Sequence, residues 1–336
     1  MNTRPLLTIA IPTYNGARTI CNLLDRLLPQ CTEEIELLIS NNCSTDRTSE
    51  IVSDYQKRFP FIKHVNNKKN IGPDANFLQC MNLAQGEFVW LVSDDDVVIE
   101  DSVPSILHYL RTYPDAGLVY VTTVDFRGHY ENVSQCTFHR VRASEDIYTC
   151  DKKVFMKYAS DYWGFISSFI CKTDTVKNIK EPERFFGTYW LQSYIHALCA
   201  KGEKTGIGII KKPCTAAGIY VNTAAFDSAK VNGVYYKKLL DFMVEEAGFD
   251  QQQLERLYIW RLCHLSRHDI LKEKAAGVHH LDKKTLFQCT KTYCEAWLTV
   301  YPLFLVPDFL CRFAMRLYRR HLNIKDTIRV NRPEQE

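Results

Sequence analysis

Glycine is scarce in this chain, with 14 in 336 residues. The first apolar segment runs into "PTYNGARTI", which has one glycine and no G-x-G-x-x-R type run. That argues against a sugar-nucleotide nucleotidyltransferase, whose phosphates need a glycine-rich loop after the first strand. Cysteine is plentiful but unpatterned. The 13 cysteines are odd in number and form no C-x-x-C or C-x-x-C-H, and Cys289 and Cys294 are the closest pair. They read as reduced thiols of a cytosolic protein, most of them in the core. His279-His280 has no ligand spacing around it and reads as a surface pair. "MNTRPLLTIAIPTYNG" has no long apolar stretch before a small-residue cleavage site, so no signal peptide is expected. No apolar run reaches the roughly 20 residues of a membrane span. The nearest, 296–310, is interrupted by Pro302, Pro307 and Asp308. A net charge of only +3 gives no electrostatic case for nucleic acid as a partner. There is no internal repeat and no low-complexity linker.

What remains is a globular composition, 46% hydrophobic and 24% charged, sufficient for one large domain or two small ones. The first 125 residues alternate in character. Apolar runs at 6–12, 35–41, 61–65, 87–93 and 117–126 read as strands. Between the first two, Ile20, Leu23, Leu24, Leu27 and Leu28 share a helical face. Asp46 can cap a helix over 47–58, and Asp74 one that runs through Ala84 and closes at Gly86. A further helix is expected over 101–113. Repeated strand–helix–strand units predict an α/β fold, a mostly parallel sheet with helices on both faces. Ligands then bind at the carboxyl ends of the strands. Beyond 126, helices are expected at 152–160 and 188–202, and strands at 164–172, 205–211 and 214–221. The remainder reads as a C-terminal helical extension: 234–247, 251–273, 282–300 and 307–322. The expected divisions are 1–125, 126–225 and 226–336.

At one carboxyl end the apolar run Phe88–Val92 stops at Ser93-Asp94-Asp95-Asp96. Three adjacent carboxylates repel one another unless a hard divalent cation sits among them. Mg²⁺ and Mn²⁺ prefer oxygen ligands and leave positions open for phosphate oxygens. An acidic turn that caps the next helix is the plain alternative.

Four stretches in register carry a resemblance. They are "TIAIPTYNGARTICNLLDRLL", "ELLISNNCSTDRTSEIV", "KNIGPDANFLQCMNLAQG" and "EFVWLVSDDD". Together, over about residues 5–125, they resemble a family-2 glycosyltransferase of the GT-A (Rossmann-like) fold. The resemblance implies a loop for base and ribose at Pro12, Thr13, Tyr14 and Asn15, with Asp46 as the acidic residue of the second turn. It implies a diphosphate side at Asn70 and Asp74. It implies a D-x-D pair, Asp94 and Asp96, holding Mn²⁺ or Mg²⁺, with Asp95 as metal ligand or nucleotide contact if the register shifts by one. Where many relatives end the second strand in Asp-Asp, this chain has Asn41-Asn42. An amide both donates and accepts, so Asn41 admits cytosine as well as uracil or thymine, and a plain turn Asn is the other reading.

The segment "GFISSFICKTD…FFGTYWLQSYIHALCAKG" resembles a subgroup that includes abequosyltransferases, which add a dideoxyhexose from a CDP-sugar during O-antigen assembly. Inverting relatives open the second of these helices with a Glu-Asp pair, whereas Gly187, Thr188, Tyr189 and Trp190 stand there in this chain. Asp161, Glu181 and Glu183 are the nearby candidates for a general base. The aromatics Trp163, Tyr189 and Trp190 suit an acceptor wall or a core. The implied activity moves one sugar from a UDP-, dTDP- or CDP-sugar to a saccharide acceptor, lipid-linked in surface polysaccharide assembly. A non-catalytic nucleotide-sugar-binding or scaffolding subunit is the alternative. Near the end, Phe309, Leu310, Phe313 and Leu317 share a helical face flanked by Arg312, Arg316, Arg319, Arg320, His321 and Lys325. Such a helix suits peripheral contact with the inner face of the cytoplasmic membrane, or packing on the catalytic domain with a solvated basic edge.

Overall fold

The computed structural model describes residues 4–126, 143–160, 163–218, 229–277 and 281–321. Asp161, Tyr162, His279-His280 and Lys325 lie outside the described residues.

The apolar runs become strands: β1 (Leu7–Thr13), β2 (Ile35–Asn41), β3 (Ile62–Asn66) and β4 (Phe88–Leu91). They pair in parallel in the order β3-β2-β1-β4. Four helices connect this half: α1 (Ile20–Leu27), α2 (Thr48–Arg58), α3 (Pro73–Leu83) and α4 (Ser102–Thr112). The sheet continues through β8 (Phe169–Lys172), β6 (Ala116–Phe126) and β9 (Gly206–Gly218) to β5 (Val97–Val98), and β7 (Ile147–Thr149) pairs with β9. β8, β5 and β7 run against the other six strands.

Alternation along β1 and β2 sets the layers. Leu7, Ile9 and Ile11, with Ile35, Leu37 and Ile39, join one core with Ile20, Leu23, Leu24, Val52 and Ile106 of α1, α2 and α4. The opposite face presents Thr8, Glu36 and Ser40 toward the α3 side, where Ser40 bonds Asn76 at 2.7 Å. Helices therefore cover both faces. Gly86 does not cap α3, which ends at Leu83. It lets β4 come alongside β1: a Cβ there would stand 2.5 Å from the Thr8 amide nitrogen.

Glu36, 5% exposed, knits the polar face. It accepts from Thr8 Oγ1 at 2.5 Å, from the Gln85 amide at 2.7 Å and from Lys63. Burial pushes its pKa up, but those donors outweigh burial and hold it below the ordinary value. A carboxylate with a lowered folded pKa stabilises above its unfolded pKa, and the contribution is lost as pH falls through the folded one. Glu36→Ala strands Thr8 and Gln85, so urea unfolding at neutral pH should show a loss of about 1–3 kcal/mol that shrinks toward acid pH.

Several elements differ from the sequence expectation. The strands expected at 205–211 and 214–221 are one strand, β9. Its register slips so that 211–214 stand opposite the single residue Thr122, whose hydroxyl bonds the Ile210 carbonyl at 2.6 Å. β5 and β7 were not anticipated, because two or three residues carry no periodicity. Helices α5 (Lys152–Ala159), α6 (Thr173–Lys177) and α7 (Leu191–Cys199) complete this half.

The chain separates into two compact units, Met1–Thr223 with Lys238–Leu254, and Ala224–Lys237 with Glu255–Glu336. The first holds the sheet. The C-terminal region is helical: α8 (Tyr236–Ala247), α9 (Gln251–Ala276), α10 (Lys283–Thr290), α11 (Cys294–Thr299) and α12 (Asp308–His321). A π-helical turn, Ala229–Tyr235, leads into α8, and the helix expected over 282–300 breaks between α10 and α11.

Candidate active site

Three parallel strands end side by side, and the loops after β2, β1 and β4 meet at one edge of the sheet. The first two loops are stapled together. Asn15, at φ 57°, donates its amide to Ser44 Oγ at 2.8 Å and accepts from the Thr45 amide at 2.8 Å. Asp46 accepts from the amides of Ala17 at 3.1 Å and Thr48 at 3.0 Å. Asp46 thus links the two loops and caps the start of α2 with the same carboxylate. Partial burial raises its pKa, but the Thr48 and Ala17 donors hold it below the ordinary value. Tyr14 stands half exposed beside them, and Pro12 lies within β1.

Asn41 and Asn42 are each 2% exposed. The Asn41 side chain donates to Asn66 Oδ1 at 2.8 Å and accepts from the amide and hydroxyl of Ser44 at 3.1 and 2.6 Å. Its carbonyl oxygen is thereby engaged within the protein. The Asn42 amide group bonds Asn70 Oδ1 at 2.9 Å and the Gly72 carbonyl at 3.2 Å, and its oxygen accepts from the Ile71 amide at 3.0 Å. It shapes the 70–72 turn, after which Pro73 opens α3. Asp74 reaches outward from that helix to accept from the Gly187 amide at 2.7 Å. Burial raises the Asp74 pKa against that single donor. The bond ties the donor-side helix to the 185–190 turn.

The carboxylates after β4 each have a hydroxyl partner. Thr13 Oγ1 donates to Asp94, Ser93 Oγ to Asp95 at 2.5 Å, and Ser167 Oγ to Asp96 at 2.6 Å. Ser167 also accepts from the Ser93 amide at 2.9 Å, which locks the turn onto the segment before β8. Burial pushes the Asp94 pKa to about 7, with Asp95 and Asp46 adding to the rise and Thr13 opposing it. Burial and the neighbouring carboxylates hold Asp96, 4% exposed, well above the ordinary range. Gly16 completes the arrangement, because a Cβ there would lie 2.0 Å from Asp94 Oδ2.

Asp94 and Asp96 are withdrawn from solvent beside exposed Asp95, and among the described residues no Lys or Arg pairs with Asp94 or Asp96. Their hard oxygens suit Mg²⁺ or Mn²⁺, which accept few protein ligands when diphosphate and water fill the other positions. Among the described residues, no group of three or more His, Cys, Asp or Glu side chains is placed to hold a cation by itself.

The acceptor candidates separate. Trp163 is fully buried among Phe155, Phe169, His196 and Phe249. Trp190 is 5% exposed and packs over Gly164. Tyr189, at φ 64°, is 56% exposed. Glu181 and Glu183 are exposed at the start of the turn Pro182–Phe185. Sequence reasoning missed Gly16, Ser93 and Ser167. The one glycine of "PTYNGARTI" was a usable signal for Gly16, but nothing local marks Ser167, which reaches Asp96 only through the antiparallel β4–β8 pairing.

Comparison with known proteins agrees with this geometry. The family model for glycosyl transferase family 2 matches residues 8–172, from β1 through β8. The abequosyltransferase RfbV of Salmonella typhimurium is 26% identical over 250 residues, 71% of this chain and 72% of that protein. Residues 1–349 of Staphylococcus aureus TarS in complex with UDP-GlcNAc superpose with a TM-score of 0.61 at 14% identity, covering 94% of this chain and 92% of that one. The mannosyltransferase PcManGT of Pyrobaculum calidifontis, in complex with GDP-Man and Mn²⁺, gives 0.51 at 15% identity, covering 95% and 88%. At these identities the structures establish the shared GT-A architecture. Residues 8–172, which hold the three loops and the carboxylate turn, form a glycosyl transferase family 2 domain.

Proposed function

We propose that the protein transfers one sugar from a UDP-, dTDP- or CDP-sugar to a saccharide acceptor, lipid-linked, in the assembly of a bacterial surface polysaccharide. The observation that carries this reading is the carboxylate turn: buried Asp96 and half-buried Asp94, without a Lys or Arg partner among the described residues, beside the stapled loops after β1 and β2. Asp94 and Asp96 would hold Mg²⁺ or Mn²⁺. The ion would neutralise the charge that develops on the departing diphosphate.

The chain's own residues do the rest. The stapled loops at Asn15 and Asp46 fix the nucleoside end, and Asn70 and Asp74 flank the diphosphate side. Thr13, Ser93 and Ser167 orient the three carboxylates before donor arrives, so little reorganisation remains at the moment of transfer. Ser44 fills the Asn41 carbonyl oxygen and Asn66 takes one of its amide hydrogens, which leaves the second amide hydrogen for an acceptor on the base. Cytosine N3 accepts such a hydrogen, as do the ring carbonyl oxygens of cytosine, uracil and thymine. Exposed Tyr189 supplies a ring on which an acceptor sugar stacks. Its turn is positioned by the Asp74–Gly187 bond. Glu181 and Glu183 are the described candidates for the base that takes the acceptor proton. RfbV, by its name an abequosyltransferase, and TarS, a poly(ribitol-phosphate) β-N-acetylglucosaminyltransferase, support a role in polymer or O-antigen assembly.

The test is nucleotide release from a panel of UDP-, dTDP-, CDP- and GDP-sugars with Mn²⁺ and a crude lipid-linked saccharide fraction. One donor class should be consumed at least about tenfold faster than the others, the size of a single missed hydrogen bond to the base. If no donor is consumed, with or without acceptor, the protein is a binding or scaffolding member of the family.

A further inference from the structure

The second unit carries a surface that the transfer reading does not use. Among the described residues sixteen large hydrophobic side chains are exposed, and eight of them fall between 287 and 317. Leu305, at 86% exposure, sits where the chain turns from α11 into α12. On α12, Cys311 is buried, while Phe309, Phe313 and Leu317 are exposed at four-residue spacing. That spacing makes one stripe on the side away from Cys311. Arg312 and Arg316, also exposed, flank it. Trp297 and Leu298 on α11 are exposed as well, with Trp297 in an aromatic group with Phe287 and Tyr301.

Charge decides what fits such a surface. Residues 283–321 contain Lys283, Lys284, Lys291, Arg312, Arg316, Arg319 and Arg320 against only Glu295 and Asp308. Asp308 is paired with Lys274 at 3.0 Å. An apolar stripe edged by an excess of cations complements a layer that is apolar inside and anionic at its surface. A second copy fits poorly, because a two-fold interface would set the same arginines against each other. No single described helix is long and apolar enough to cross a membrane, and the pair Cys294–Phe304 and Asp308–Leu317 bends by 104°. We propose that α11 and α12 dock the protein flat on an anionic lipid bilayer, with Phe309, Phe313 and Leu317 in the acyl boundary and Arg312 and Arg316 at the headgroups.

The test uses the full chain without donor or acceptor, so its outcome is independent of the transfer reading. Flotation is measured with phosphatidylcholine vesicles, with and without phosphatidylglycerol, while light scattering follows the mass of the protein. The wild type should float with the phosphatidylglycerol vesicles, and raised salt should release it. Phe309→Ser with Phe313→Ser, and separately Arg312→Glu with Arg316→Glu, should each weaken binding by about tenfold or more. All four positions are exposed, and circular dichroism should show an unchanged fold. Absence of binding to anionic vesicles, or equal binding by wild type and both variants, overturns the proposal. So does a concentration-dependent doubling of mass that the Phe309→Ser, Phe313→Ser variant abolishes, which would give the face to a second copy.

Discussion

Replacing Asp96 by Ala should lower sugar transfer by about 10³-fold or more while leaving the protein folded. Asp96 is the most deeply buried of the three carboxylates, and its partner Ser167 belongs to the segment that packs beside β4. The same change should not harm stability measured in EDTA at neutral pH. Burial raises the folded pKa of Asp94 to about 7 and holds that of Asp96 well above the ordinary carboxylate value. A carboxylate with a raised folded pKa contributes fully below its unfolded pKa, and that contribution disappears as pH rises through the folded value. The wild type without a cation should therefore lose stability between about pH 4 and pH 7, as the unfolded and then the folded Asp94 pKa is passed. Asp96→Asn keeps the Ser167 contact and removes one charge. Its melting temperature in EDTA at pH 8 should equal or exceed that of the wild type, by a margin of roughly 1–3 kcal/mol in stability. Transfer and stability then move in opposite directions, which distinguishes a functional carboxylate turn from a structural one. Were Asp96 only a helix cap or a turn former, both would fall together.

Gly16→Ala is expected to have the second largest effect. The added methyl would stand 2.0 Å from Asp94 Oδ2 and 2.6 Å from Thr13 Oγ1. The Asp94 carboxylate is the group that must yield, because Thr13 holds it against the first loop. Overpacking of this kind costs about 1–3 kcal/mol, and an ångström of misplacement at a reacting centre costs about 10²-fold in rate. Donor affinity and turnover should both drop, with the metal concentration for half-maximal activity rising by a similar factor. Activity retained within about twofold, as a conservative surface change would give, would mean that Asp94 is not a donor or metal contact.

Much of the nucleotide half was legible because its signals are local. Five apolar runs, the helical face of α1, and the stop at Ser93-Asp94-Asp95-Asp96 all sit within single elements. Asn15 and Asp46 fall in the stapled loops after β1 and β2, Asn70 in the turn before α3, and Asp74 in the first turn of α3. What escaped was relational. Ser167 orients Asp96 across the β4–β8 pair, and the Asp74–Gly187 bond joins residues 113 positions apart. No pattern in either segment reports the other. β9 read as two strands because Lys211, Lys212 and Pro213 look like a break, yet the strand absorbs them as a register slip against Thr122. Gly86 read as a helix terminator because that is the commonest use of glycine there, and only the packed sheet shows that β1 requires it. Trp163 could have been a ligand wall or core from its sequence alone, and its complete burial places it in the core.

The central claim is that the carboxylate turn holds a divalent cation against a nucleoside diphosphate. The most direct measurement is the melting temperature of wild type and Asp96→Asn with CDP, UDP, dTDP and GDP, each in Mn²⁺ and in EDTA. A ligand that binds only the folded protein stabilises it by about 2.7 kcal/mol at a hundredfold excess over Kd. The account predicts a rise for wild type with one nucleotide class in Mn²⁺, little or none in EDTA, and no metal-dependent rise in Asp96→Asn. An equal rise in Mn²⁺ and EDTA, or the same metal-dependent rise in both proteins, would contradict it.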